Sequence, residues 1–136
     1  IDAKDTTLRI VDYKTGGSPK TPANIEQLFT PSESRPNYIF QTFLYAAIMS
    51  RQQSLKVAPS LLYIHRAASE SYSPVIEMGE PRQPKIPVSN FAFFEDEFRE
   101  HLQRLLEEIF DKNEPFTQTE DTKKCAYCDF KAICKR

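Results

Sequence analysis

The sequence predicts an α/β domain in which a small mixed β-sheet is flanked by helices. Runs of β-branched and apolar residues at 8–14 and 57–67 predict strands. Apolar residues that recur at helical spacing in 37–53 and 91–113 predict two long helices. The predicted order is therefore strand, strand, helix, strand, strand, helix and a cysteine-containing tail, which is typical of an α/β arrangement.

The first half of the chain carries a local signal for each element. Residues 1–14 predict a β-hairpin, because the polar stretch Lys4-Asp5-Thr6-Thr7 separates two strand-forming segments. Residues 15–36 contain two glycines and four prolines and predict a long loop with one helical turn at 24–29. Pro36 is placed to open the first long helix, whose apolar face is predicted to comprise Ile39, Phe43, Ala46 and Ala47.

The second half begins with a predicted buried strand at 57–67. A weaker, edge-like strand is predicted at 72–80, and the proline-rich segment 81–89 is interpreted as a linker. Ser89 or Asn90 is the candidate N-cap of the last long helix. Its apolar positions at helical spacing are Phe94, Phe98, Leu102, Leu105, Leu106 and Ile109.

Composition limits the possible partners. The formal net charge is −1, so nucleic-acid binding would have to depend on a local patch or on a metal. No apolar run approaches the roughly 18 residues of a membrane span, and we expect no membrane partner. The three cysteines lie within the last dozen residues, which favours a reducing cytoplasm and a bound metal over a secreted disulfide framework.

The segment Leu8-Arg9-Ile10-Val11-Asp12-Tyr13-Lys14 ends a predicted strand with two charged residues. Side chains alternate along a strand, so Asp12 and Lys14 are predicted to share one face. A carboxylate that binds a divalent cation, beside a lysine that orients or deprotonates water, is one interpretation of this pair. The alternative is a solvated ion pair at a strand end.

Two further groups of residues are candidates for chemistry. Gln41 and Tyr45 are four residues apart and are predicted to be neighbours on one helix face, where they could equally form an ordinary polar edge. Cys125 and Cys128 have the spacing of a zinc or iron ligand pair, and Cys134 adds a third thiol. Such a site lacks a fourth ligand, and three free thiols are the alternative.

Together, the segments at 10–16, 41–45 and 125–134 resemble the RecB-type and AddB-type nucleases of the PD-(D/E)XK superfamily in order and approximate spacing. The resemblance implies a restriction-endonuclease-like core and a DNA nuclease, expected to be an exonuclease, that depends on Mg²⁺ or Mn²⁺. It also implies a bacterial cytoplasmic DNA recombination or repair protein with a helicase domain or subunit as partner. A catalytically inactive nuclease-like module that binds DNA or a partner subunit is the alternative.

The resemblance also implies roles for individual residues. Asp12 would be a metal ligand, Lys14 would position or activate the attacking water, and Gln41 would hold that lysine or a phosphate. Tyr45 would contact the substrate strand, and we expect DNA contacts from Lys20 and Lys131 as well. An iron-sulfur cluster, or alternatively Zn²⁺, would be held by Cys125, Cys128 and Cys134 together with a fourth cysteine upstream.

The resemblance further implies a second acidic ligand on the strand before Asp12. If the hairpin turns at Asp5-Thr6, paired positions sum to 11 and Asp2 lies opposite Arg9. Asp12 would then face the second residue ahead of Ile1, so we expect the ligand to precede this chain. The alternative is that Asp2 is the ligand in a hairpin of different register.

This register implies that part of the domain precedes residue 1. We interpret residues 1–136 as one domain, the C-terminal part of a nuclease domain that is incomplete at its N-terminus, with a cysteine tail at 117–136. Without the upstream acid and the fourth cysteine, the isolated chain is expected to show little cleavage and no complete cluster.

Overall fold

A computed structural model describes residues 1–4, 6–115 and 117–135, and for Asp2 and Lys4 it describes the backbone alone. The chain forms two compact units, residues 1–105 and 106–136. Among the helices in the described part of the chain, none has the length and apolar character needed to cross a membrane.

The first unit is built on a three-stranded mixed sheet with the order β1-β2-β3. The strands are β1 (Asp2–Lys4), β2 (Thr7–Lys14) and β3 (Lys56–Tyr63). β1 runs antiparallel to β2, with Asp2 opposite Arg9, so the predicted hairpin register is confirmed. The predicted turn residue Asp5 lies outside the described residues. β2 runs parallel to β3, and Lys14 pairs with Tyr63.

Alternation along β2 fixes which residues face the core. Leu8 and Ile10 are buried, whereas Arg9 and Tyr13 are exposed. Because successive side chains point to opposite faces, Asp12 and Lys14 continue the face of the buried residues. The charged end of β2 therefore lies on the side of the sheet that faces the core.

Two helices lie between β2 and β3 in the sequence. The helical turn expected within the long loop is α1 (Glu26–Phe29), and the first long helix is α2 (Asn37–Ser50). α2 follows Pro36, as predicted, and ends three residues before the predicted boundary. The predicted apolar face is confirmed, because its members are buried: Ile39, Phe43, Ala46 and Ala47.

The chain after β3 differs from the prediction in three places, one of which is that the strand predicted at 72–80 is reduced to two residues, Glu77–Met78. The strand ends at Tyr63, and residues Ile64–Arg66 form a 3-10 turn instead of extending the strand. The segment predicted as a linker contains β5 (Ile86–Pro87), which pairs with β4 (Glu77–Met78) in a short antiparallel ladder. Pro87 in β5 made the sequence look unlike a strand. A proline is nevertheless tolerated in an edge strand at a position where no backbone N–H is needed for pairing.

The last long helix, α3 (Glu95–Phe110), begins later than predicted. A 3-10 turn at Phe91–Phe93 precedes it, and the Asn90 side chain caps that turn by accepting a hydrogen bond from the Ala92 backbone. Phe98 is wholly buried and packs against Phe43, with 5.8 Å between ring centroids. Leu106 and Ile109 are exposed, so the predicted apolar face does not extend to the end of the helix.

The second unit contains the helical turn α4 (Thr122–Cys125) followed by further turns. The Asp121 side chain caps α4 by accepting a hydrogen bond from the Lys123 backbone. The side-chain amide of Gln118, which precedes α4, donates a hydrogen bond to the backbone carbonyl of Cys134 at 3.2 Å.

Candidate active site

Asp12 and Lys14 form an ion pair at the carboxyl end of β2. The Nζ of Lys14 lies 2.8 Å from Oδ2 of Asp12, and each side chain is only 14% exposed. The shared face predicted from strand alternation is therefore present, and the pair is largely shielded from water. Shielding strengthens the interaction between the two charges relative to an exposed surface pair.

Helix α2 supplies the next contact. Lys14 Nζ donates to Oε1 of Gln41 at 2.8 Å, and Nε2 of Gln41 donates to the Tyr45 hydroxyl at 2.6 Å. Gln41 and Tyr45 are one helical turn apart, which allows this contact along the helix face. A chain of contacts thus runs from Asp12 through Lys14 and Gln41 to Tyr45.

Two residues that the sequence did not single out complete the surroundings of the pair. The ring of Tyr38 lies over the Lys14 ammonium, with 4.3 Å from Nζ to the ring centroid. The hydroxyl of Thr42 lies 3.4 Å from Oδ2 of Asp12 and donates to the Tyr38 carbonyl at 2.8 Å. Their positions on α2 could have indicated them in the sequence. Tyr38 precedes Gln41 by three residues and so shares its helix face, and Thr42 is a polar residue within the apolar face.

Tyr63 places an aromatic ring beside the pair from β3. Its backbone pairs with that of Lys14, and its side chain is buried. Burial raises the pKa of the Tyr63 phenol above its ordinary value, and Tyr72, Tyr38 and Asp12 raise it further, whereas Arg66 lowers it. The phenol therefore stays protonated at neutral pH and remains a neutral neighbour of the ion pair.

The comparison with protein families identifies this arrangement. A family model of the PD-(D/E)XK nuclease superfamily matches residues 1–135. The chain belongs to this superfamily. Asp12-Tyr13-Lys14 fits the (D/E)XK part of the superfamily name. Neither curated proteins nor solved structures gave a significant match.

The fold agrees with this membership. A mixed α/β architecture, with small parallel and antiparallel pairings flanked by helices, is consistent with the predicted restriction-endonuclease-like fold. The superfamily consists in general of nucleases, so the site at the end of β2 is a candidate hydrolytic centre. The pair of Asp12 and Lys14 lies where a parallel strand ends, a common position for functional residues in α/β proteins.

The described residues fit a divalent cation in part. Asp12 offers a partly shielded carboxylate, and Mg²⁺ is commonly held by one or two carboxylates together with water and substrate phosphates. Within the described ranges, no group of three or more His, Cys, Asp or Glu side chains is placed to hold a metal ion. The carboxylate that the structure places beside Lys14 is that of Asp12.

The alternative assignment of Asp2 as a ligand depended on a different hairpin register. The observed register pairs Asp2 with Arg9, which is three residues before Asp12 on β2. The side chain of Asp2 lies outside the described part of the structure. The register therefore gives no support to Asp2 as the cross-strand partner of Asp12.

The predicted DNA contacts have different surroundings. Tyr45 is 39% exposed at the end of the contact chain. Lys20 Nζ donates to the carbonyls of Ser34 and Arg35 at 2.9 and 3.1 Å, so it fastens the loop before α2. Lys131, in the second unit, is exposed and lies 3.5 Å from the Ala126 carbonyl.

The three cysteines do not fit a metal cluster as they are arranged. Cys125, Cys128 and Cys134 are partly exposed free thiols. In the described part of the chain they do not come together as a metal-holding group. The iron-sulfur cluster implied by the sequence resemblance therefore has no formed site among these residues, nor does the alternative Zn²⁺.

Proposed function

We propose that this chain provides the catalytic centre of a metal-dependent DNA nuclease. The reaction is hydrolysis of a phosphodiester bond, in which water attacks phosphorus and the ester oxygen leaves. The observation that carries the proposal is the Lys14 ammonium, held at 2.8 Å by both Asp12 and Gln41 at the end of β2. Superfamily membership supports the same reaction class.

Lys14 is suited to act on the phosphate or the attacking water. An ammonium has three donors, and two are directed at Asp12 and Gln41. In this proposal the remaining donor, beside the Tyr38 ring, serves a phosphate oxygen or water. Because Lys14 is held from both the sheet and α2, it needs little reorganisation during the reaction, and this preorganisation favours charge stabilisation in the transition state.

Asp12 is proposed as a metal ligand for Mg²⁺ or Mn²⁺. A divalent cation there supplies charge neutralisation at the phosphate and lowers the pKa of bound water. The carboxylate also accepts the contact from Lys14, which fixes its orientation. Asp12 therefore has two tasks, to bind the cation and to orient the lysine.

Finer assignments follow from the motifs. The order of Asp-x-Lys, Gln-x3-Tyr and the cysteine tail supports a RecB- or AddB-like exonuclease in a DNA recombination or repair protein, with a helicase domain or subunit as partner. In this proposal Tyr45, Lys20 and Lys131 contact the DNA. Cys125, Cys128 and Cys134 would hold an iron-sulfur cluster, or alternatively Zn²⁺, in the full-length protein together with a cysteine upstream.

One observation favours a second function. Asp12 is the carboxylate that the described residues place beside Lys14, and Mg²⁺ is commonly held by one or two carboxylates. A catalytically inactive module that binds DNA or a partner subunit would need only the DNA-contacting surface. The two functions differ in whether bound DNA is cut.

The test is a cleavage assay on the purified full-length gene product. Linear double-stranded and single-stranded DNA, labelled at one end, are incubated with Mg²⁺, with Mn²⁺ or with EDTA. We expect metal-dependent release of nucleotides from an end, and a loss of at least about 100-fold in Asp12→Asn and Lys14→Ala. Lys56→Ala, which alters an exposed lysine at the opposite end of the sheet, is the matched control.

Circular dichroism and thermal unfolding of each variant would show whether the fold is kept. DNA binding without metal-dependent cleavage by the unaltered protein would favour the inactive module. Full activity in Lys14→Ala would contradict the catalytic assignment.

A further inference from the structure

A cleft of about 520 Å³ opens beside the carboxyl end of β3. Leu61 and Tyr63 line it, and these residues pair with Asp12 and Lys14 on β2. The 3-10 turn that follows β3 adds His65 and Arg66 to the lining. The cleft therefore begins one strand away from the candidate active site, at the same edge of the sheet.

The positively charged side chains that line this cleft differ in the contacts that they already make with the protein. The ammonium of Lys20 donates to two backbone carbonyls. For the guanidinium of Arg66, by contrast, the interaction recorded with a described residue is its charge effect on the Tyr63 phenol, whose pKa it lowers. Glu77 also lines the cleft and offsets part of the positive charge. Arg66 is thus the cation here whose donors remain available to a ligand.

A second cleft connects this region to the catalytic lysine. Its volume is about 240 Å³, and it shares Lys20, Ile39 and Tyr63 with the larger cleft. It also reaches Tyr38, whose ring contacts the Lys14 ammonium. The two clefts therefore adjoin one another and reach from Tyr38, the residue whose ring covers Lys14, past Tyr63 to Arg66.

The spacing along the two clefts suits a nucleic-acid strand. Adjacent strands are about 4.8 Å apart, and three residues of 3-10 turn advance about 6 Å in a roughly perpendicular direction, so the backbone of Arg66 lies roughly 8 Å from that of Lys14. At about 3.4 Å per nucleotide, that separation corresponds to about two stacked nucleotides. The planar guanidinium also matches the oxygens of a phosphate better than an ammonium does.

We propose that the two clefts bind the strand being cut and that Arg66 holds a backbone phosphate within about two nucleotides of the scissile bond. The proposal rests on the nuclease function proposed above, and it names Arg66 as a substrate-binding residue. Phosphate contacts position a strand without reading its sequence. The contribution of Arg66 should therefore be the same for any base composition.

The test uses Arg66→Ala, Arg66→Lys and the control Arg51→Ala in the full-length gene product. Arg51 is an exposed arginine at the end of α2. Binding of a fluorescent single-stranded oligonucleotide is measured by anisotropy in EDTA over a series of salt concentrations. Cleavage of the same oligonucleotide gives kcat and KM with Mg²⁺.

We expect Arg66→Ala to raise Kd and KM about 10-fold, with kcat within about twofold of the unaltered protein. The slope of log Kd against log salt concentration should decrease by about one, because one phosphate contact is lost. Arg66→Lys should recover part of the affinity, and Arg51→Ala should bind as the unaltered protein does. Equal affinity in Arg66→Ala and Arg51→Ala, or a fall in kcat without weaker binding, would overturn the proposal.

The binding assay separates this proposal from the nuclease function. If the protein binds DNA through Arg66 but does not cut it with any metal, the nuclease function fails and the Arg66 site stands. If it cuts DNA and Arg66→Ala has no effect on Kd or KM, the nuclease function stands and the Arg66 site fails.

Discussion

Gln41 accepts a 2.8 Å hydrogen bond from the ammonium of Lys14, although 27 residues separate them in the chain. The bond joins α2 to the end of β2, and the same ammonium pairs with Asp12. The packing of α2 on the sheet therefore sets the position of the candidate catalytic lysine. A change in the helix that leaves the strand untouched should alter the chemistry.

Removal of the Gln41 amide should lower activity without unfolding the protein. In Gln41→Ala the lysine loses an acceptor worth about 1.5 kcal/mol, so we expect kcat to fall about 10-fold. Tyr45→Phe is the matched comparison, because it leaves the bond between Gln41 and Lys14 in place. We expect a smaller effect on kcat from Tyr45→Phe. Equal kcat in Gln41→Ala and the unaltered protein would show that the amide does not hold the lysine during catalysis.

Gly17 should tolerate no side chain, because it determines where Tyr38 lies. Its φ is 81°, and a Cβ at this position would come within 2.9 Å of Cε2 of Tyr38. Gly17→Ala therefore strains the backbone and displaces the ring that covers Lys14. We expect Gly17→Ala and Tyr38→Leu to lower kcat, whereas Tyr38→Phe, which keeps the ring, should retain most of it.

The control for this comparison is Gly16→Ala, because a Cβ there meets no atom within 4 Å. Thermal unfolding of all four variants separates a loss of fold from a loss of activity. A Tyr38→Leu variant as active as Tyr38→Phe would mean that the aromatic ring does not position the lysine.

The stability of the protein should depend on Tyr63 at alkaline pH. The folded state raises the pKa of this phenol above its ordinary value of 10.0, chiefly by burial. The resulting stabilisation is fully present below about pH 10 and is lost as the pH rises through the folded-state pKa. The free energy of unfolding of the unaltered protein should therefore fall more steeply above pH 10 than that of Tyr63→Phe.

Urea unfolding at pH 7, 9, 10.5 and 11 measures this difference. The difference in unfolding free energy between the two proteins should be constant from pH 7 to 9. Above pH 10 the unfolding free energy of the unaltered protein should fall relative to that of Tyr63→Phe. A difference that stays constant up to pH 11 would contradict a raised pKa at Tyr63.

The cysteines should react as free thiols in the 136-residue chain. They are partly exposed and not gathered as metal ligands in the described structure. We expect three reactive thiols per folded chain after anaerobic purification, with iron, sulfide and zinc all below stoichiometric amounts. The Cys125→Ser variant should then show two reactive thiols. One equivalent of zinc, or of a cluster, would show that the tail rearranges to bind it.

The sequence alone determined the features that depend on local geometry. The hairpin register followed from the position of its turn, and the shared face of Asp12 and Lys14 followed from strand alternation. The contact between Gln41 and Tyr45 followed from the helical repeat. Each of these relations involves residues close in sequence, so the backbone period is enough to predict it.

Only the tertiary structure decided which distant residues meet. The family resemblance left open whether Gln41 holds Lys14 or a phosphate, and the packing of α2 against β2 places it on the lysine. The contact of Lys14 with Tyr38 depends on the same packing, which no local period specifies. The short β5 strand escaped prediction because its pairing with β4 outweighs a weak local preference. Arg66 likewise acquired its place because β3 ends at Tyr63, opposite Lys14, and the chain then turns towards the cleft. Packing between elements, which brings together side chains that are remote in sequence, is the physical reason for all three.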